Sequence, residues 1–256
     1  MRESWRIISA SVAGTLHRAR ELPCQDSYAF RVFETNAGEV LAAAVSDGAG
    51  SAKFADAGSR LACDFFISAV ASLLENGGKF SHLNRDFFLQ FLQTFQTQLR
   101  AKAENQDLCD YACTFLALAA SETETVFAQI GDGAIVYASQ PDEFRLFAVP
   151  QQGEYANSTN FLTDETAADN LQFERIETSV EELAIFTDGL QRLTLDFQSK
   201  QPHQPFFRSM FAPLRAQTSA SNLEEKLSQF LDSPKINERT DDDKTLILAS
   251  RLSNDR

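Results

Sequence analysis

At 256 residues the chain is long enough for one large domain with its own core, and a formal net charge of -13 excludes the basic face of a nucleic-acid binder. The same charge opposes adhesion to anionic membranes, and no run approaches the ~20 apolar residues that a membrane-spanning helix needs. Neither a linker nor a repeat divides the chain, so residues 1–256 read as a single domain. The start, Met1 to Arg6, leads into no apolar core of a secretory signal. Cys24, Cys63, Cys109 and Cys113 contain no C-x-x-C pair, which predicts reduced thiols in a cytoplasm. Cys109 and Cys113 lie four apart, but no second ligand pair completes a zinc site.

In chain order, Trp5 to Val12 alternates as a first strand, and Gly14 to Gln25 reads as a polar loop carrying His17, Arg18 and Arg20. Ser27 to Phe33 is a second strand, joined through Asn36-Ala37-Gly38 to Val40 to Ser46. That hairpin would bring Asp26 and Asp47 together at one end. From Ala52 the pattern turns helical: Leu61, Ala62, Phe65, Phe66, Ala69, Val70, Leu73 and Leu74 recur at helix spacing until Asn76-Gly77-Gly78. A second helix sets Phe87, Phe88, Phe91, Leu92, Phe95 and Leu99 on one face, a stripe suited to core packing. Strands follow at Ala112 to Ala119, Val126 to Ile130, Ala134 to Ala138 and Phe144 to Val149. Gln151 to Asn160 is polar and aperiodic, the pattern of a surface loop and equally of a mobile loop beside a cleft. Leu171 to Ile176 and Leu183 to Phe186 are further strands, Phe206 to Leu214 and Leu223 to Leu231 helices, and Thr245 to Leu252 the last strand. The order is that of an α+β protein with two packed sheets flanked by helices.

Several strands run into acidic turns. Ala42 to Val45 leads to Ser46-Asp47-Gly48, Phe127 to Ile130 to Gly131-Asp132-Gly133, and Leu183 to Phe186 to Thr187-Asp188-Gly189. Asp241-Asp242-Asp243 precedes the final strand. Any one Asp-Gly pair is an ordinary hairpin turn. A hairpin does not explain the set. Acids at strand ends, with no nearby Cys or His ligand, suit an oxygen-only site for hard cations.

The ordered series Cys24-Gln25-Asp26-Ser27, Ser46-Asp47-Gly48-Ala49-Gly50, Cys113-Thr114, Gly131-Asp132-Gly133, Thr187-Asp188-Gly189 and Asp242-Asp243-Lys244-Thr245 resembles the metal-dependent type 2C serine/threonine phosphatases, in a divergent bacterial form. The resemblance spans residues 24 to 245 and implies a four-layer α-β-β-α sandwich with two mostly antiparallel sheets. It implies hydrolysis of phosphoserine and phosphothreonine in proteins at a two-metal site holding manganese or magnesium, with a phosphorylated protein and a cognate kinase as partners. Asp47 would bridge the ions with the Gly48 carbonyl in one shell, while Asp188 and Asp242 hold the other ion. Asp26 would stand behind the attacking water, and Asp132 with Asp188 would resemble a weaker third metal position. Thr114 and Thr245 would hold strand ends.

Departures from the family pattern are specific. Gln25 stands where the family has Glu, so a ligand there would bring no charge. Ala49 stands where animal members carry a histidine, leaving solvent to protonate the leaving group. Arg192 stands where a further third-site Asp is common. The family's phosphate arginine has no counterpart at matching spacing, which leaves His17, Arg18 and Arg20 as candidates against an ordinary solvated loop. Gln25 and Ala49 favour an alternative reading, a phosphatase-like sensing or scaffold module without turnover. Retention of Asp47, Gly48, Asp188 and Asp242 favours the enzyme, because clustered carboxylates repel one another without a cation.

Overall fold

The structure is a computed structural model that describes residues 5–102, 107–151, 159–196, 198–216 and 221–252. In chain order its strands are β1 (Trp5–Val12), β2 (Ser27–Thr35), β3 (Gly38–Ser46), β4 (Phe115–Ala120), β5 (Thr125–Ile130), β6 (Ala134–Ala138), β7 (Arg145–Leu146), β8 (Gln172–Ile176), β9 (Glu182–Phe186), β10 (Leu195–Asp196), β11 (Gln201–Pro202) and β12 (Lys244–Arg251). The helices are α1 (Thr15–Ala19), α2 (Ala55–Glu75), α3 (Arg85–Lys102), α4 (Gln191–Thr194), α5 (Gln204–Ala216), α6 (Ser221–Leu231) and α7 (Pro234–Asn237).

One sheet orders its strands β2-β3-β4-β5-β8 and the other β1-β12-β9-β6-β7, while β10 and β11 form a small separate pair. Side chains alternate across each strand, and here both faces find apolar partners. Leu41, Ala43 and Val45 of β3, Leu116 and Leu118 of β4, and Leu183, Ile185, Ile247 and Ala249 of the other sheet form the core between the sheets. The alternate residues of the first sheet, among them Ala42, Ala44, Phe115 and Ala117, pack under Phe66, Phe88, Phe91 and Phe95 of α2 and α3. Those of the second sheet, among them Ala184, Phe186, Leu246 and Leu248, pack under Phe207, Phe211 and Leu227 of α5 and α6. The result is the expected α-β-β-α sandwich of two antiparallel sheets. Burial on both faces is why the central strands read as continuous apolar runs rather than as an alternation.

Register gathers the acids. Ser27 pairs with Ser46, so Asp26 and Asp47 flank one end of the β2–β3 hairpin, as expected. Phe115 pairs with Ile130, placing the end of β5 at that same rim of the sheet. In the second sheet Phe186 pairs with both Ala134 and Leu246, which aligns the end of β9 with the starts of β6 and β12.

Some expectations are corrected. The polar loop Gly14 to Gln25 contains α1, whose His17 is buried because it turns inward onto Asp243. Phe144 to Val149 contributes only the two residues of β7, which reach no further than Val136 and Tyr137 of β6. The strand expected from Ala112 begins at Phe115, with Cys113 before it making only an isolated bridge to Gly48. Within the expected loop Gln151 to Asn160, residues 152–158 lie outside the described residues. Contrary to the apolar-run estimate, α2 is long and apolar enough to cross a membrane, with 21 residues and mean hydropathy 1.4. Its Ala62, Cys63, Phe66 and Val70 are instead buried in the core shared by α3 and the first sheet.

Candidate metal centre

Asp47 is held at the end of β3 by its neighbour strand. Thr114 Oγ1 accepts the Asp47 N–H at 2.9 Å, and the Thr114 N–H donates to Asp47 O at 2.8 Å. The Ser46 hydroxyl donates to Thr114 O at 2.5 Å, closing the clamp. Gly48 donates its N–H to Gln25 O at 3.1 Å and lies against the start of α2. A Cβ there would stand 2.5 Å from Ala55 O, so only glycine allows the approach.

Asp26 is tied to the second sheet through Thr187. The Thr187 hydroxyl donates to Asp26 Oδ2 at 2.8 Å and accepts the Thr245 N–H at 3.1 Å. The Thr245 hydroxyl donates to Ser11 Oγ at 2.7 Å. One buried threonine thus joins β2, β9 and β12 at the rim. Sequence reasoning gave it no role of its own, and its only signal was its place before Asp188-Gly189.

The carboxylates converge in a single electrostatic field. Burial pushes Asp47 well above the usual carboxylate range, and the charges of Asp26, Asp188, Asp242 and Asp132 push it further. Burial also raises Asp26, against the Thr187 hydrogen bond, with Asp243 and Asp188 adding to the rise. Asp132 is pushed up to about 7, first by burial and then by Asp188. Asp188 is raised by burial, opposed by hydrogen bonds to Asp47 and the Gly189 N–H. Burial raises Asp242 too, and Asp188 is the strongest of its charged neighbours. Acids from the ends of β3, β5 and β9 and from the approaches to β2 and β12 therefore sense one another. These are the residues singled out from sequence.

The remaining candidates separate. Gln25 is buried with Oε1 left without a hydrogen-bond partner, near Gly50. His17 Nδ1 donates to Asp243 Oδ2 at 2.8 Å, so its ring is committed to that carboxylate. Arg18 pairs with Asp232 at 2.6 Å, and Arg20 is exposed. The structure does not gather His17, Arg18 and Arg20 into one anion site, because adjacent positions of α1 face different partners.

Asp243 is the residue sequence reasoning passed over. Its Oδ1 accepts the Gly14 N–H at 2.6 Å, and its Oδ2 accepts the Gln25 N–H at 2.6 Å beside the His17 bond. It staples the segment before Asp26 to the start of β12. Within Asp241-Asp242-Asp243 nothing but the register of β12 separates the inward carboxylate from Asp242.

These residues fit hard divalent cations. The donor set is entirely oxygen, and Asp26 Oδ1, Asp188 Oδ1 and Gln25 Oε1 are buried without a hydrogen-bond partner. Among the described residues no three His, Cys, Asp or Glu side chains stand close enough together, as placed, to hold a metal ion between them. Drawing carboxylates closer without a neutralising charge costs free energy, consistent with their raised pKa values.

A sequence model of the family described as Protein phosphatase 2C matches residues 13–232, which include Asp26, Asp47, Asp132 and Asp188, with Asp242 beyond them. The chain is 40% identical to Serine/threonine-protein phosphatase 3 of Escherichia coli (strain K12) over 251 residues, 96% of this chain and 98% of that protein. Its fold resembles serine/threonine phosphatase Stp1 from Staphylococcus aureus, with TM-score 0.63 at 16% identity, over 99% of this chain and 97% of that one. RsbX in complex with magnesium matches with TM-score 0.55 at 16% identity, over 98% of this chain and 97% of that one. With its fold, its rim of carboxylates and its close bacterial relative in agreement, the chain belongs to the protein phosphatase 2C family.

Proposed function

We propose that the protein hydrolyses phosphoserine and phosphothreonine in other proteins, using two manganese or magnesium ions at the rim of the sandwich. The observation that carries this reading is the mutual charge on Asp47 from Asp26, Asp132, Asp188 and Asp242, acids drawn from both sheets. When bound, the ions would supply an activated water and neutralise phosphoryl oxygens during in-line displacement. Asp47, with the Gly48 carbonyl, would hold both ions, Asp188 and Asp242 would hold one, and Asp132 would serve a weaker third position. Asp26, oriented by Thr187, would accept a hydrogen bond from the attacking water. Gln25 Oε1 is free to add a neutral ligand. The substrate would be a phosphorylated protein, a kinase would act in the opposite sense, and the four free cysteines support a reducing cytoplasm.

The test is purified protein on a phosphothreonine peptide, with and without manganese, beside Asp47→Asn. Loss of the bridging charge should lower the manganese-stimulated rate at least about 100-fold, equivalent to about 2.7 kcal/mol of transition-state stabilisation, with far-UV circular dichroism unchanged. Equal manganese-stimulated turnover in the two proteins would defeat the metal-site assignment. The scaffold reading, which Gln25 and Ala49 favour, instead expects no turnover in either protein.

A further inference from the structure

Asp188–Leu190 is a 3-10 turn that runs directly into α4 at Gln191. Positions four apart on a helical run share a face, so Arg192 stands over the same side as Asp188. The run is fastened to the site at several points. The Gln191 amide donates to Asp132 O, the Thr194 hydroxyl donates to Leu190 O at 2.9 Å, and the Thr187 N–H donates to Thr245 O at 3.2 Å. Gly189 is pressed so closely on Asp243 O that a Cβ would stand 2.0 Å away. Arg192 therefore projects from a rigid base.

It projects onto a cavity of about 370 Å³, lined also by Asp188, Gly189, Arg239 and Asp242. Two of those walls are carboxylates assigned to the metals. Arg192 is exposed and makes no hydrogen bond or ion pair among the described residues, although acids surround it. Of the other basic groups, His17 is committed to Asp243 and Arg18 to Asp232, while Arg239, across the same cavity, also has no side-chain partner among the described residues. An unpaired guanidinium beside a roomy, open, acid-floored cavity offers a planar fork for phosphate oxygens.

We propose that Arg192 binds the substrate's phosphoryl group, clamping its oxygens from the α4 side while the carboxylate end of the cavity holds the cations. This rests on the phosphatase reading and deepens it, because it assigns the anion-binding role to α4, the helix that follows β9, instead of α1. The guanidinium also supplies, without a metal, positive charge on the side of Asp132 and Asp188. Inorganic phosphate, the product, would occupy the same fork.

The experiment measures binding of inorganic phosphate by titration calorimetry, in manganese, to the wild type, Arg192→Ala and Arg192→Lys. Steady-state hydrolysis of a phosphothreonine peptide is followed on the same proteins. Arg192→Ala should weaken phosphate binding and raise KM about tenfold or more, because a bidentate charge-assisted contact is lost. The rate at saturation should change less, and the manganese midpoint should hold or fall as a competing positive charge is removed. Arg192→Lys should recover part of the phosphate affinity by charge alone. Equal phosphate affinity and equal KM in wild type and Arg192→Ala would overturn the proposal, as would a manganese midpoint that rises while phosphate binding stays constant. Phosphate binding lost in Arg192→Ala without turnover in the wild type would uphold the anion site and sink the phosphatase reading.

Discussion

Gln25 carries the sharpest consequence at the scale of a single residue. Its backbone is fully engaged, the N–H with Asp243 Oδ2 and the carbonyl with the Gly48 N–H and the Ser59 hydroxyl, yet its side-chain Oε1 is buried without a partner. An amide can ligate a cation but adds no charge, so a metal shell that included Gln25 would be weaker by one carboxylate. Gln25→Glu restores that charge at nearly constant volume, and one partly screened contact a few Å away is worth on the order of 1 kcal/mol. The manganese concentration for half-maximal activity should fall several-fold to about tenfold, since about 1.4 kcal/mol is a factor of ten. The rate at saturating metal should change little, because Asp47 is untouched. A titration of activity against manganese checks this, and an unmoved midpoint would mean that Gln25 ligates nothing.

At the scale of elements, the decisive piece is the short turn between β9 and α4, which fits because its glycine has no side chain. The carbonyl of Asp243 occupies the space a Cβ at Gly189 would need, at 2.0 Å. Gly189→Ala must push the turn away from the start of β12, carrying Asp188 from Asp242 and Arg192 from the cavity they share. Overpacking of this kind costs about 1–3 kcal/mol. The variant should unfold at lower urea, and its manganese midpoint should rise beyond what the loss of stability alone explains. Denaturation in urea with and without manganese separates the two effects: a stability loss with unchanged metal response would make the turn a packing feature only.

At the scale of the whole molecule, helix α5 is anchored to the second sheet through a buried acid away from the rim. Glu182 opens β9 with both carboxylate oxygens lacking a hydrogen bond, and Arg215 of α5 lies 3.5 Å from it while also pairing with Asp142. Burial pushes Glu182 up to about 7, with Arg215 pulling the other way. The folded state therefore holds this proton more tightly than the unfolded chain does. Its contribution to stability is fully present below the unfolded value near 4.5 and is lost as pH rises through about 7. Glu182→Gln stays neutral and leaves Arg215 its pairing with Asp142. Relative to wild type it should gain on the order of 2 kcal/mol between pH 5 and pH 8. Urea unfolding at those two values checks the sign, and a difference that does not change with pH would rule out Glu182 as the titrating group.

The sequence by itself determined the layers, the family and the set of acids. Continuous apolar runs in β3, β4, β9 and β12 announce strands covered on both faces, and the phenylalanine stripe of α3 announces the helix that covers one of them. The Asp-Gly turns after β3, β5 and β9 are local features, so they survive in a linear reading. What only the tertiary structure decided depends on partners far away along the chain. His17 and Arg18 looked alike as basic loop residues until α1 turned one onto Asp243 and the other onto Asp232. Asp242 was assigned to a metal and Asp243 had no role until the pairing of Val12 with Lys244 fixed Asp243 as the carboxylate that faces α1. Thr187 was a turn residue with no role of its own until the second sheet carried it to Asp26, 161 positions away. Side-chain direction follows from register and packing, and both are settled by contacts between sheets that no local spacing encodes.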